Sequence, residues 1–248
     1  MPVIITIDGP AAAGKSTIAK LLAQKLSFHY LDTGALYRAI TLKAVQNKIR
    51  FSNKRSIAQL VSNSVIKFIY TCGEAIDSDY HQVHPAPNRR RIKTAKVQIL
   101  LDGKDVSKKI RGPRLTAYVS KISSSPLVRK TMVKLQRKLV AGKNIVCEGR
   151  DMGSVVFPQA KIKFYLDASI KERAQRRYQE SLLLFPRKHL TYNQILKEIS
   201  IRDYRDTHRK IAPLVKPHNS FYIDTTNLEV SQVLKTMIKI VNDKLDKK

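Results

Sequence analysis

The segment Gly9-Pro10-Ala11-Ala12-Ala13-Gly14-Lys15-Ser16-Thr17 carries the most specific chemical signal in the sequence. Its first eight residues fit G-x-x-x-x-G-K-[ST] at every fixed position. Glycines at the two ends let the backbone turn tightly and approach a ligand closely, and consecutive N–H groups then converge on a phosphate at a helix start. Lys15 is placed to reach between β- and γ-phosphates, and the Ser16 hydroxyl to ligate Mg²⁺, which takes oxygen ligands. The pattern has this meaning only between a buried strand and a helix. Val3 to Ile7 is an apolar, largely β-branched run that ends at Asp8-Gly9-Pro10, and beyond the loop Ile18, Leu21, Leu22 and Leu26 recur three or four apart. Strand, loop and helix are therefore in order, and ATP or GTP with Mg²⁺ is the implied ligand.

A second cluster, Asp32-Thr33-Gly34-Ala35-Leu36-Tyr37-Arg38, follows the strand expected at Phe28 to Leu31. A hydroxyl and a guanidinium near one helix start suit a phosphomonoester, because arginine offers a bidentate fork; an ordinary capped turn with an exposed arginine fits the same residues. Glu148-Gly149-Arg150-Asp151 and Asp167 likewise follow the apolar runs Ile145 to Cys147 and Ile162 to Leu166.

The elements that must position these groups are legible in outline. Helical spacing runs through Gly34 to Lys48, and through Leu127 to Val140 with Gly142 as a stop. Ser169-x-x-Glu172 and Thr191-x-x-Gln194 read as capping boxes opening two further helices. Phe221 to Ile223 is the last strand, and Val233, Met237, Val241 and Leu245 stripe a final helix. Strands alternating with helices predict an α/β protein with a mainly parallel sheet flanked by helices, whose sites lie at the carboxyl ends of the strands. Residues 67–112 differ in character, with strands at Ile66 to Thr71 and Val97 to Leu101 around a polar stretch, and read as an inserted subdomain. Residues 1–66 and 113–248 form the phosphate-loop core, with a lid near 181–190 that contains Pro186, Arg187 and Lys188.

Composition bounds the rest. The 248 residues hold 47 Lys plus Arg against 19 Asp plus Glu, a formal net charge of +28, with 43% hydrophobic residues. That is enough apolar material for a core. Charge alone would favour a nucleic-acid-binding ATPase. The excess is spread along the whole chain, however, and its densest run, Arg89-Arg90-Arg91, is short, so a solvated basic surface is the expected reading and no specific nucleic acid is expected. No apolar stretch approaches the length of a membrane span, and no secretory leader is visible. Cys72 and Cys147 are too few for a disulfide framework. A cytoplasmic protein is expected. Cys72, His81 and His84 offer one ligand-like spacing, too little to assign zinc.

Four blocks together resemble the bacterial cytidylate kinases: Ile5 to Pro10 with the phosphate loop; Leu31 to Arg38; Glu148-Gly149-Arg150-Asp151-Met152-Gly153-Ser154-Val155-Val156-Phe157-Pro158; and Arg202-Asp203-Tyr204-Arg205-Asp206-Thr207-His208-Arg209 followed by Ala212-Pro213-Leu214. They span almost the full length. The resemblance implies a P-loop kinase fold with a nucleoside-monophosphate-binding insert, ATP and Mg²⁺ as cofactors, CMP and dCMP as acceptors, and a monomer. It places Thr33, Arg38 and Arg150 on the acceptor phosphate, Tyr37, Arg202 and Asp206 at the ribose, and Asp151 and Arg209 at the base. Ser120 and Arg129 complete the reading of cytosine, and Lys15, Arg150 and Arg202 are the expected catalytic residues. Glu148 stands where that family more often has Asp. Kinases of UMP or AMP are the nearest alternatives. The arginines of Glu172-Arg173-Ala174-Gln175-Arg176-Arg177 are expected on a solvated helix face, with Arg187 and Lys188 closing over phosphates.

Overall fold

The computed structural model describes residues 2–71, 96–184 and 190–246. Cys72, His81, His84, Arg89 to Arg91, Arg187 and Lys188 lie outside the described residues. Strand β1 (Ile4–Asp8) is followed by α1 (Lys15–Lys25), β2 (His29–Asp32), α2 (Thr33–Gln46) and α3 (Lys54–Ser62). An antiparallel sheet comes next, β3 (Ile66–Thr71), β4 (Lys96–Leu101) and β5 (Lys104–Asp105). Then follow α4 (Pro113–Ser123), α5 (Pro126–Val140), β6 (Ile145–Glu148), β7 (Ile162–Asp167), α6 (Ile170–Leu184), α7 (Tyr192–His208), β8 (Phe221–Asp224) and α8 (Val230–Asp246). None of the described helices is long and apolar enough to cross a membrane.

The principal sheet is five-stranded in the order β2-β6-β1-β7-β8, and every pair is parallel. From β1 the chain goes to the edge strand β2, returns to β6 between the two, and then crosses β1 to β7 and β8. The connections leaving β1 and β6 thus run in opposite directions, so a crevice opens between the carboxyl ends of these two strands, the usual ligand position in such sheets. The phosphate loop lies there.

Burial explains the layers. Ile5 and Ile7 of β1 pack with Ile18 and Leu22 of α1, Phe164 of β7, and Met237 and Val241 of α8. On the other face Leu31, Ile145 and Cys147 pack with Val140 of α5 and with Met152 and Val156. A third cluster joins α2, α3, α4 and α5 to β3 and β4 through Leu36, Ile40, Ile57, Ile99, Ile122 and Met132.

Two helices differ from the sequence reading by their absence from it. α3 is short, and although its Ile57, Leu60 and Val61 stand at i, i+3 and i+4 they span little more than one turn, too brief a run to mark a helix alone; Asn53 caps it by accepting from the Ser56 N–H at 3.0 Å. α4 opens on Pro113, which suits the first helical position because its missing N–H would be unbonded anyway. The two capping boxes have different outcomes. Thr191 and Gln194 exchange both bonds. At Ser169 only half forms: its hydroxyl accepts from Glu172 N–H at 3.2 Å, but its own N–H goes to Thr226 Oγ1, and the Glu172 carboxylate accepts from Arg176 instead.

Candidate active site

The phosphate loop is shaped by what cannot fit beside it. Gly9 has φ +147°, and a Cβ there would lie 1.9 Å from the backbone oxygen of Leu166 in β7. Only glycine lets β1 turn into the loop at this point. Gly14, at φ +81°, turns the chain into α1. Pro10, Ala11, Ala13 and Lys15 are buried, Ala12 is half-buried, Ser16 is exposed and Thr17 is half-buried. The Lys15 ammonium donates to the Pro10 carbonyl at 2.5 Å. Burial, and then the Arg150 charge, bring its pKa down to about 7.

Glu148, at the end of β6, faces this loop. It is buried and accepts from the Tyr30 hydroxyl at 2.6 Å; burial followed by the Asp32 charge raises its pKa, against the opposing influence of Lys15 and the nearby Ser16 and Tyr30 hydroxyls. Thr33 donates its hydroxyl to the Glu148 carbonyl at 2.7 Å, so that hydrogen is committed to the end of β6. Asp32 caps α2 by accepting from Ala35 N–H at 2.7 Å and holds Arg38 at 3.3 Å. Arg38 keeps a buried Nε with no hydrogen-bond partner, a donor left over for a ligand.

Next to this group the structure collects a network of two carboxylates and four arginines. Asp151 pairs with Arg129 of α5, and the two are only 5% and 4% exposed. Arg209 approaches Asp151 at 3.7 Å and Asp206 at 3.9 Å, and donates through Nε to the Ala212 carbonyl at 2.5 Å. Asp206 accepts from Arg150 Nε at 3.0 Å and lies 4.0 Å from Arg202, whose side chain is 48% exposed. Arg209 also retains a buried nitrogen without a hydrogen bond. Tyr37 is buried among these charges, and burial pushes its phenol up to about 12, so it stays a neutral hydroxyl. Ser120 is exposed on α4, one turn before Ser123, whose carbonyl accepts from Arg129 at 3.3 Å. The predicted residues of α2, α5, the loop after β6 and the end of α7 therefore come together, whereas Ser120 is placed only on the neighbouring helix α4.

Five residues without a predicted site role also belong to this region. Arg173 is buried rather than solvated: it donates to the carbonyls of Ala168 (2.9 Å) and Ala11 (3.2 Å) and pairs with Asp203. Asp203 in turn faces Ala11 N–H at 3.5 Å, so this ion pair holds Ala11 of the phosphate loop by both its N–H and its carbonyl. Arg176 departs from the solvated-face expectation too, donating to the Thr225 hydroxyl and carbonyl at 3.0 and 2.6 Å, whereas Arg177 follows it, half-exposed and paired with Glu180. Asp8 accepts from the N–H groups of Met152 and Gly153, and Arg137 donates to the carbonyls of Val155 and Val156. A signal for the first pair was present in the spacing. Ile195, Ile199 and Asp203 recur every four residues along one stripe of α7, and Arg173 stands beside Ala174 on the buried side of α6.

Comparison with known proteins identifies the family. A family model described as cytidylate kinase matches residues 5–243. The cytidylate kinase of Carboxydothermus hydrogenoformans is 40% identical over 242 residues, covering 98% of each chain. That of Caldanaerobacter subterraneus subsp. tengcongensis is 41% identical over 97% of this chain and 95% of its own, and that of Streptococcus mutans is 38% identical over 100% and 99%. Among solved structures, a shikimate kinase from Bacteroides thetaiotaomicron aligns over 98% of each chain at 10% identity and a TM-score of 0.45, too distant to support an argument.

Proposed function

The chain belongs to the cytidylate kinase family, and we propose that it transfers the γ-phosphoryl group of ATP to CMP and dCMP, giving CDP and dCDP. The observation that carries this reading is the buried Arg129–Asp151 pair, joined through Arg209, Asp206 and Arg150 to the residues around the phosphate loop. Cytosine presents an exocyclic amine beside a ring acceptor and a carbonyl. Asp151 matches the amine, and Arg129 with Ser120 matches the acceptors. Uracil reverses two of those positions, which would leave a buried carboxylate facing a carbonyl oxygen.

On this reading the N–H groups of the Gly9 to Thr17 loop, Pro10 having none, and the Lys15 ammonium hold the ATP phosphates, and Arg38 and Arg150 fork the acceptor phosphate. The attacking oxygen of CMP is already anionic. No general base is needed, and positioning with charge neutralisation supplies the catalysis. Tyr37, Arg202 and Asp206 border the ribose. Thr33 reaches the phosphate only by turning its hydroxyl away from the Glu148 carbonyl. The Ser16 hydroxyl beside the Glu148 carboxylate is an oxygen pair of the kind Mg²⁺ takes, and these residues would hold it. Bound there, the ion supplies charge neutralisation at the β- and γ-phosphates. Residues 67–112 belong to the acceptor side, and the segment near 181–190 to a lid over ATP.

The test is ADP formation with CMP, dCMP, UMP and AMP in turn. CMP and dCMP should be turned over, with kcat/KM at least ~10²-fold above AMP, the discrimination expected when a mismatched base leaves buried polar groups unpaired. Equal turnover of AMP would sink the cytosine assignment, and ATP hydrolysis stimulated by RNA alone would replace it with a nucleic-acid-binding ATPase.

The lowered pKa of Lys15 gives a second expectation. A phosphate oxygen brought against the ammonium favours its charged form, so binding raises the pKa above about 7 and takes up a proton. Affinity for ATP·Mg²⁺ therefore falls as pH rises beyond that point. Calorimetry of a nonhydrolysable ATP analogue at pH 8, in two buffers of different ionisation enthalpy, should register net proton uptake that Lys15→Met abolishes. Equal heats in the two buffers would contradict it.

A further inference from the structure

We propose that Asp8 is a positioning residue that sets the separation of the donor and acceptor sites, through a side-chain clamp made where the strand ladder ends. This rests on the reading that the loop after β6 carries the acceptor nucleotide.

β1 and β6 are neighbours, and the last backbone bond between them runs from Gly149 N–H to the Ile7 carbonyl at 3.0 Å. Beyond it the two chains part. One becomes the phosphate loop at Gly9, and the other becomes Arg150 and Asp151. In-line transfer needs reacting atoms held about 3–3.5 Å apart, so two independently mobile loops would be a poor catalyst.

The Asp8 carboxylate bridges that gap. It is fully buried, and it accepts from Met152 N–H at 2.8 Å and Gly153 N–H at 2.7 Å, one bond to each oxygen. Asp8 is covalently next to Gly9, and Met152 is covalently next to Asp151. A single side chain thus ties the first residue of the donor loop to the residues that follow the acceptor contacts. The turn it holds, Met152–Val156, has no slack. A Cβ on Gly153 would meet Thr6 Oγ1 at 2.9 Å, and the far end is fixed by Arg137, whose Nε and Nη2 donate to the carbonyls of Val156 and Val155 at 2.9 and 3.2 Å.

A carboxylate is the group this geometry requires. Two convergent N–H donors need two acceptors, and an amide of the same shape turns one of them into a donor facing a donor. Lys15, the cation nearest in sequence, donates to Pro10 and makes no ion pair with Asp8 among the described contacts. Burial raises the Asp8 pKa to about 6 in spite of the two amide bonds. A charge kept in so costly a place, with both oxygens taken by backbone N–H groups, is explained by the clamp it makes.

The experiment is Asp8→Asn in the full chain, assayed with CMP and ATP·Mg²⁺ and melted in parallel. With the loops intact but their spacing released, kcat should fall ~10–100-fold, the scale of a misplacement near 1 Å. Dissociation constants for CMP and for a nonhydrolysable ATP analogue, measured separately, should each move less than about 3-fold, because each loop keeps its own contacts. Wild-type kcat per folded molecule, or a loss carried by the dissociation constants, overturns the proposal. Should Asp8→Asn fail to fold, Arg137→Met releases the other end of the same turn and should lower kcat with the same split; an unchanged kcat counts against the clamp. If the wild-type chain does not phosphorylate CMP, the acceptor reading has failed, and amide exchange then tests the clamp itself. Faster exchange across residues 150–156 in Asp8→Asn supports it, and unchanged exchange refutes it.

Discussion

Gly9→Ala should abolish measurable phosphoryl transfer and lower the melting temperature by roughly 8–16 °C. The expected cost is about 4 kcal/mol, in the range of exceptional point substitutions, and each kcal/mol moves the midpoint of a chain this size by about 2–4 °C. The reason lies in one contact. The new methyl would stand 1.9 Å from the Leu166 oxygen and 3.0 Å from its carbonyl carbon, at a φ of +147° that alanine rarely adopts. The obstacle is backbone, not a movable side chain, and it belongs to β7, which is paired to β1 on one side and β8 on the other. Relief therefore requires breaking the sheet or moving the loop. Gly14→Ala is the control. Its φ of +81° carries strain, but the nearest atom is the end of the Arg176 side chain at 3.9 Å, so only the backbone term of about 1–2 kcal/mol remains. Thermal melting of the two variants side by side decides the matter, and a Gly9→Ala midpoint within about 2 °C of wild type would refute the steric account.

Asp151→Ala should be destabilising and inactive toward CMP, for separable reasons. Removing the carboxylate leaves the Arg129 guanidinium buried without its counter-ion, a loss of about 3–5 kcal/mol, and also exposes Arg209 to an unbalanced neighbour. The double variant Arg129→Leu/Asp151→Leu removes both charges together, and apolar replacement of a buried pair is commonly neutral or stabilising. Its melting temperature should return to within about 5 °C of wild type, since no orphan charge remains. Turnover of CMP should not return, because the base-reading groups are gone. Recovery of activity together with stability would show that the pair is structural and would remove it from the cytosine site.

These residues divide by how far apart in sequence their partners lie. The phosphate loop was legible because its strand, glycines, lysine and helix are contiguous and each has a local reason. α5 and α8 were legible from three- and four-residue spacing over three or more turns, and α2 more loosely from Leu36, Ile40 and Val45, the last of which is exposed. α3 offers only two turns, and Met152–Val156 follows a wider i to i+5 pattern, with Phe157 N–H bonded to Met152 at 2.6 Å and Val156 N–H to Asp151 at 3.0 Å. No periodicity announces such a turn. Pairing across the site is non-local: Arg129 meets Asp151, and Arg150 meets Asp206, through a fold that must exist first. The family resemblance supplied those names, while spacing alone did not. Arg173 and Asp203 lay within reach of periodicity but were masked by composition, since in a chain of charge +28 an arginine on a helix reads by default as solvated.

The sheet order also bears on how the protein is made. β1 is translated before the other strands of the principal sheet, yet it occupies the centre, and its two neighbours begin at Ile145 and Ile162. At ~5–20 residues per second, roughly 7–30 s separate its synthesis from that of its first partner. Through that interval an isoleucine-rich strand has both edges unpaired, the condition under which strands recruit wrong partners. The α2–α5 helices and the antiparallel sheet are complete by Val140 and can fold while β1 waits. The central strand of the sheet is thus the one whose native pairing waits longest on synthesis, since neither of its edges can close before β6 and β7 exist.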